Sequence, residues 1–242
     1  MSICAMCESV NRVSYDAVDY PSNRGLGMRK LWGRKSSSNV QAVRWCLEVL
    51  GLEYEQCDAG FHYGVVDTDE YQAINPNRTV PTLQEDGQSS LWESGAIMRY
   101  LASQYAPDSF WPANPRERSI VDQWAEWSKI NIALGFTAPV FWQVVRTAPS
   151  RQDPVIIAEN LKTLDRFLSI ANQQLSGSEF LAGDDITLAD IQFGHVLYRY
   201  FDINIERTDH PSIKRYYDTL VEREDFQRCV IVNYDELRVL DD

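Results

Sequence analysis

Residues 1–27 follow neither the two-residue period of a strand nor the 3.6-residue period of a helix, and they end in Asn23-Arg24-Gly25-Leu26-Gly27. The pattern predicts a poorly ordered extension there, with the first compact domain beginning at Met28. Arg29–Gly33, with Leu31-Trp32 near its end, reads as a short strand. Val40, Val43, Leu47 and Leu50 then recur at helical spacing, so a helix is expected over Asn39–Leu50 and stopped by Gly51. A second strand follows near Glu53–Cys57, and Thr68 is placed to cap a short helix running to Ile74. Asp86-Gly87 between two apolar runs predicts a hairpin. After Leu91-Trp92, the positions Ile97, Tyr100, Leu101 and Tyr105 give the helix opened by Glu93-Ser94 a buried stripe. The order is βαβ and then αββα.

Beyond Ala106-Pro107-Asp108 the period becomes helical, and no strand is expected before Val230–Val232. Asn114-Pro115-Arg116-Glu117 combines an N-cap, a proline at the first helical position and an acid at the third. The aromatic helix that it starts, with Trp124 and Trp127, should bend or break around Gly135 and Pro139. Asp153-Pro154 starts another, carrying Ile157, Leu161, Leu164, Leu168, Ala171 and Leu175 at spacings of three and four. Thr187-Leu-Ala-Asp190 is a capping box, and Pro211 opens a last amphipathic helix. The chain reads as a small α/β domain, residues 28–107, followed by an all-α domain, residues 114–242.

Composition narrows the partners. The net charge of −12 disfavours nucleic acid or an anionic membrane as the main partner. No apolar run approaches the ~20 residues of a membrane span, and the N-terminus carries no apolar signal-peptide core. Five scattered cysteines fit a reducing cytoplasm better than a disulfide framework. Cys4-Ala-Met-Cys7 has the CxxC spacing, but it precedes no helical pattern and has no second pair, so no metal or redox role is expected of it. Cys46 falls between Val43 and Leu47 and should be a small core residue.

The charge is uneven, and that draws attention to Gly33-Arg34-Lys35-Ser36-Ser37-Ser38-Asn39-Val40. Between Met28 and Leu50 stand Arg29, Lys30, Arg34, Lys35 and Arg44 against Glu48 alone. A hydroxyl-rich loop in this basic island leads from a strand into a helix N-terminus. Unpaired backbone N–H groups and the helix dipole favour negative charge at such a place, either a bound anion or a thiolate.

Three segments resemble the glutathione S-transferase family: Gly-Arg-x-x-Ser-x-Asn-Val at 33–40, Asn-Pro-x-x-x-Val-Pro-x-Leu at 75–83, and Glu-Ser-x-Ala-Ile-x-x-Tyr-Leu at 93–101. A fourth, Phe180-Leu-Ala-Gly-Asp-Asp-Ile-Thr-Leu-Ala-Asp-Ile191, is similar to that family's C-terminal folding signature. The resemblance covers Met28 to Arg228 and leaves the extension outside. It implies a thioredoxin-like N-terminal domain that binds glutathione as co-substrate, without a metal, and a helical C-terminal domain. It also implies a cytoplasmic homodimer of the serine-type, bacterial-like cytosolic kind.

The resemblance assigns residues as well. Ser37 stands where serine-type members place the hydroxyl that donates to the glutathione thiolate. Counting back from Val43 favours it over Ser36 and Ser38, and Asn39 is a second donor or else a plain N-cap. A free thiol has a pKa of about 8.5, so lowering it by ~2 units takes roughly 2.7 kcal/mol. One hydrogen bond to an ion, worth ~1.5–3 kcal/mol, together with the helix end, can provide that. Pro81 resembles the family's cis-proline, which turns Val80 so that its backbone pairs with the cysteinyl backbone of glutathione. Glu93 and Ser94 match the pair that holds the γ-glutamyl end, while His62 and Arg34 are candidates for the glycyl carboxylate. Thr187 and Asp190 belong to folding. Trp124 and Trp127, with Phe136, Phe141 and Trp142 nearby, are candidates for an apolar second-substrate site, although at helical spacing such residues are more often core.

The expected chemistry is conjugation of the thiolate to an electrophilic, mostly apolar molecule, as in detoxification. Glutathione-dependent reduction of a disulfide or peroxide is the alternative within enzymes, and a non-catalytic ligand carrier or interaction module is the alternative outside them.

Overall fold

The computed structural model describes residues 7–10 and 28–241, and the chain divides into two compact units, Met1–Pro107 and Asp108–Asp242. In the first unit, β1 (Cys7–Val10), β2 (Arg29–Trp32), β3 (Tyr54–Cys57), β4 (Thr82–Gln84) and β5 (Leu91–Trp92) form one sheet in the order β1-β3-β2-β4-β5. β2 runs parallel to β3 and antiparallel to β4, and β1 and β5 add antiparallel edges. The strand at Cys7–Val10 departs from the extension that the sequence predicts. Four residues are too few to show a period, and the pairing with β3 comes from the sheet, not from local pattern. The rest of that extension, with Cys4, lies outside the described residues.

α1 (Ser38–Val49), α2 (Asp69–Ile74) and α3 (Ser94–Tyr105) complete the unit, and α1 packs against α3. Val40, Val43, Trp45, Cys46 and Leu47 of α1 are sealed from solvent. α2 begins where Thr68 accepts the Tyr71 N–H at 3.1 Å, as its N-cap position requires. Arg29 at the head of β2 is buried against Glu85, just past β4, at 2.7 Å. Tyr105 donates to the same carboxylate at 2.9 Å, and Tyr100 donates to it as well.

The second unit is helical. α4 (Pro115–Trp127) is capped by Asn114, whose side chain accepts from Arg116 N–H at 2.8 Å. It continues through wide π-turns over Ser128–Ala133 and Thr137–Trp142, with short α-helical pieces α5 (Leu134–Phe136) and α6 (Gln143–Val145). The expected break near Pro139 is thus a widening of the helix. An extra residue per turn accommodates a proline that has no N–H to give. α7 (Pro154–Leu175), α8 (Leu188–Gly194), α9 (Leu197–Asp202), α10 (Pro211–Val221) and α11 (Glu224–Cys229) follow. Val230–Val232 is not a strand. Val230 N–H bonds to Phe226 carbonyl at 2.8 Å, so this apolar run turns off the end of α11 into the core.

Asp190 holds the head of α8. Its carboxylate accepts from Thr187 N–H at 2.8 Å, Thr187 hydroxyl at 3.0 Å, Leu181 N–H at 3.0 Å and Tyr216 hydroxyl at 3.1 Å. All seven residues of α8 are buried, so the box closes a helix end that water cannot satisfy. Among the described residues no helix is long and apolar enough to cross a membrane.

Candidate functional site

β2 leaves the sheet at Gly33, whose φ of +144° suits glycine alone. Its N–H donates to Cys57 carbonyl at 2.8 Å, and Gln56 donates its side-chain amide to the Gly33 carbonyl. A Cβ at this position would overlap Val40 and lie 3.1 Å from Val80 Cβ. Close packing at Gly33 therefore brings the exit of β2, the first turn of α1 and Val80 together.

The chain then folds into the helix. Arg34 N–H donates to Ala59 carbonyl at 3.1 Å, and Arg34 carbonyl accepts from Ser37 N–H at 3.0 Å. Ser37 is the N-cap of α1, extended at φ −80° and ψ 123°, and its side chain makes no capping bond. Its hydroxyl thus stands at the helix end without being taken up by the helix's own N–H groups. Ser38 is the first residue inside the helix, and Ser36 precedes the cap. No acid lies in the first turn of α1, so nothing there offsets the positive end of the dipole.

A second helix end meets the first. Glu93 is the N-cap of α3 and has φ +68°, a left-handed conformation that costs a non-glycine residue of order 1 kcal/mol. Its side chain is exposed, while Ser94 is buried. The Ser94 hydroxyl donates to Asn39 Oδ1 at 3.4 Å, which links α3 to α1. Asn39 occupies the second position of α1 and is exposed, so it is not the N-cap.

The peptide bond between Val80 and Pro81 is cis. Neither the N–H nor the carbonyl of Val80 forms a hydrogen bond among the described residues. The Val80 side chain packs on Trp32, Cys57, Ala59 and Tyr71. Asn75, wholly buried, fixes the loop leading to it by donating to Thr79 carbonyl and to Thr82 hydroxyl, each at 2.9 Å. Tyr71 hydroxyl adds a bond to Thr79 carbonyl at 2.8 Å. The asparagine of the Asn-Pro motif therefore anchors the loop that presents Val80.

Between these elements lies a short 3₁₀ turn, Phe61–Tyr63, entered through Gly60 and left through Gly64. His62 is exposed, and its ring lies 4.0 Å from that of Tyr63, centroid to centroid. The Arg34 guanidinium carbon sits 5.4 Å from the centre of the Phe61 ring. Phe61 is not among the residues singled out from sequence. The glycines on either side of the turn were its one legible trace.

Of the basic residues that mark the loop in sequence, Arg29 is turned into the ion pair with Glu85, and Arg44 is buried with its Nε 3.3 Å from Tyr54 hydroxyl. Lys30 stands 3.8 Å from Glu55. Arg34 and Lys35 are the two basic residues in the loop itself, so the helix ends carry more of the attraction for an anion than residue counts suggest. Cys46 is core, and burial pushes its thiol well up, so it is inert at neutral pH.

In the second unit, Trp124 and Trp127 are half-buried and meet edge to face at 5.2 Å, with Trp127 continuing to Phe167 at 6.3 Å. Trp124 also lines an open cleft of about 730 Å³ with Ile170, Gln173 and Gln174. Phe136 and Phe141 are sealed in the core, whereas Trp142 is 44% exposed. Among the described residues no group of three or more His, Cys, Asp or Glu side chains is placed to hold a metal.

Comparison with known proteins matches residues 31–109 to the N-terminal domain of glutathione S-transferases and residues 137–224 to their C-terminal domain. Glutathione S-transferase GstB of Escherichia coli K12 is 32% identical over 206 residues, which is 85% of this chain and 99% of that protein. Glutathione S-transferase 1 of Zea mays is 30% identical over 203 residues, covering 82% and 94%. Among solved structures, the theta-class enzyme of Xanthomonas axonopodis pv. citri with glutathione bound is 38% identical. It superposes with a TM-score of 0.79 over 85% of this chain and 98% of that one.

Proposed function

This chain belongs to the glutathione S-transferase family, and we propose that it binds glutathione at the meeting of α1, α3 and the Val80–Pro81 bond and conjugates it to an apolar electrophile. The observation that carries the reading is the convergence of two helix N-termini through Ser94 and Asn39, beside a Val80 backbone with no hydrogen-bond partner among the described residues. Glutathione has two carboxylates, an ammonium and a thiol. The Val80 N–H and carbonyl pair with its cysteinyl backbone as an added strand. Ser94 and the end of α3 hold the γ-glutamyl carboxylate, and Glu93 accepts from the ammonium. Arg34, with His62 beside it, meets the glycyl carboxylate.

This docking sets the sulfur over the end of α1. Ser37 hydroxyl donates to it there, Asn39 assists, and the dipole favours the ionised form. The thiolate then attacks the electrophilic carbon, and the leaving group departs with the bonding pair. Serine in place of cysteine at this position leaves no protein thiol to form a mixed disulfide, which favours conjugation over reduction. Trp124 and Trp127 offer apolar surface for the second substrate, and the working form is a homodimer, which sedimentation would establish.

The test is the glutathione-dependent rate with an electrophilic aryl halide. Ser37→Ala should lower kcat/KM by roughly 10- to 100-fold, the worth of one hydrogen bond to an ion, and move the pH–rate profile to higher pH. An unchanged Ser37→Ala beside a crippled Ser36→Ala or Asn39→Ala would move the donor to that neighbour. Wild-type protein without glutathione-dependent turnover across a panel of electrophiles would overturn the reading.

A further inference from the structure

Phe61 is an exposed aromatic residue held in an unfavourable backbone conformation. Half of its surface is open to solvent, and its φ is +55°. Four left-handed residues crowd this stretch: Gly60 at +81°, Phe61, Gly64 at +61° and Val65 at +67°. Strain of this kind persists where the surroundings enforce it, and it gathers at ligand sites. The Phe61 ring meets that of His62 edge to face, with centroids 5.5 Å apart.

The ring faces the Arg34 guanidinium at 5.4 Å, within the ~6 Å over which a cation is drawn to an aromatic face. The turn is tied down around that contact. Ala59 carbonyl takes the Arg34 N–H at 3.1 Å, and a Cβ on Gly60 would stand 3.4 Å from Arg34 Nη1. An arginine side chain has many rotamers, and ordering one for a single carboxylate carries a large entropic cost. A ring set against the guanidinium limits those rotamers before the ligand arrives.

We propose that Phe61 is a positioning residue that aims Arg34 at the glycyl carboxylate of glutathione, and so makes the site select the tripeptide over γ-glutamylcysteine. The inference rests on the Arg34 assignment made above, and the experiment separates the two. The measurement is kcat/KM with one aryl halide for glutathione and for γ-glutamylcysteine, taken as a ratio within each variant. Because the ratio is internal, a partly unfolded preparation lowers both rates alike and leaves it unmoved.

Arg34→Ala should lower the ratio by about tenfold or more, since a charge-assisted pair is lost. Phe61→Leu should lower it by about two- to fivefold, the scale of an exposed cation–π contact, mainly through KM for glutathione. Phe61→Tyr should keep it, and Phe61→Gly, which suits the left-handed backbone, should lower it as Phe61→Leu does. In the Arg34→Ala background, Phe61→Leu should have no further effect. A normal ratio in both Phe61→Leu and Phe61→Gly, with a reduced one in Arg34→Ala, would overturn the role of Phe61 and leave the binding reading intact. A normal ratio in Arg34→Ala would remove the carboxylate assignment, and the inference with it.

Discussion

Glu93 shows in one residue how stability and binding oppose each other. Its φ of +68° is a conformation that glycine adopts at no steric cost. Glu93→Gly is therefore expected to raise stability by about 1 kcal/mol while lowering glutathione affinity, because the acceptor for the ammonium is gone. Chemical denaturation and a glutathione titration on the same preparation would check both signs, and unchanged affinity would remove Glu93 from the site. Motif singles out the acid and serine of this pair, with Ser37, Val80 and Pro81, and the structure sets them at two helix starts and a cis peptide bond. The strain was not legible, because a left-handed backbone at a non-glycine residue is imposed by tertiary contacts and leaves no mark in local sequence. The destinations of Arg29 and Arg44 were equally hidden. Charge counts place them in a basic island, and the buried Glu85 and Tyr54 that engage them lie 56 and 10 residues further along the chain.

Helix starts were the most legible elements, since a cap is a contact between residues two or three apart. Thr68, Asn114, Asp153 and Thr187 all stand where side-chain spacing sets them. The π-turns after α4 and the turn at Val230 were not legible, because packing against other helices decides them. α8 and its C-cap residue carry two buried titratable groups, Asp190 and His195, with opposite pH responses. Burial pushes the Asp190 carboxyl up from its ordinary 3.8 to about 6, against the pull of its four donors. Its stabilising contribution is therefore complete below pH 3.8 and is lost as pH rises through 6. Burial pushes His195 down from 6.5 to about 3, so its contribution is complete above 6.5 and is lost as pH falls. Between about pH 6 and 3.8 the two oppose each other. Asp190→Asn puts an amide N–H₂ against N–H donors and should cost about 1–3 kcal/mol at pH 7. It also removes the group favoured by acid, so thermal melts should fall more steeply from pH 7 to 5 in the variant than in the wild type. A parallel pH dependence would show that Asp190 does not titrate in this range.

At the scale of the whole molecule, a mixed-sheet unit and a helical unit follow one another along the chain, and the elements of the proposed glutathione site belong to the first. β1 lies wholly outside the family match, which begins within β2. A chain starting at Met28 is expected to keep its circular dichroism and its glutathione-dependent rate, with β3 as a charged edge. Loss of either would give β1 a part in holding β3, beside the exit of β2. A different constraint sits at the far end of β2. The pairing of Leu31 with Leu83 and Lys30 with Gln84 carries on to set Arg29 opposite Glu85, the buried ion pair shared with Tyr100 and Tyr105. A slip of one residue between β2 and β4 would leave a guanidinium and a carboxylate sealed apart from each other, a penalty of several kcal/mol per ion. The pair therefore acts as a checksum on register: the in-step alignment of β2 with β4, which also sets Gly33 beside Val80, is the one that keeps both buried charges together.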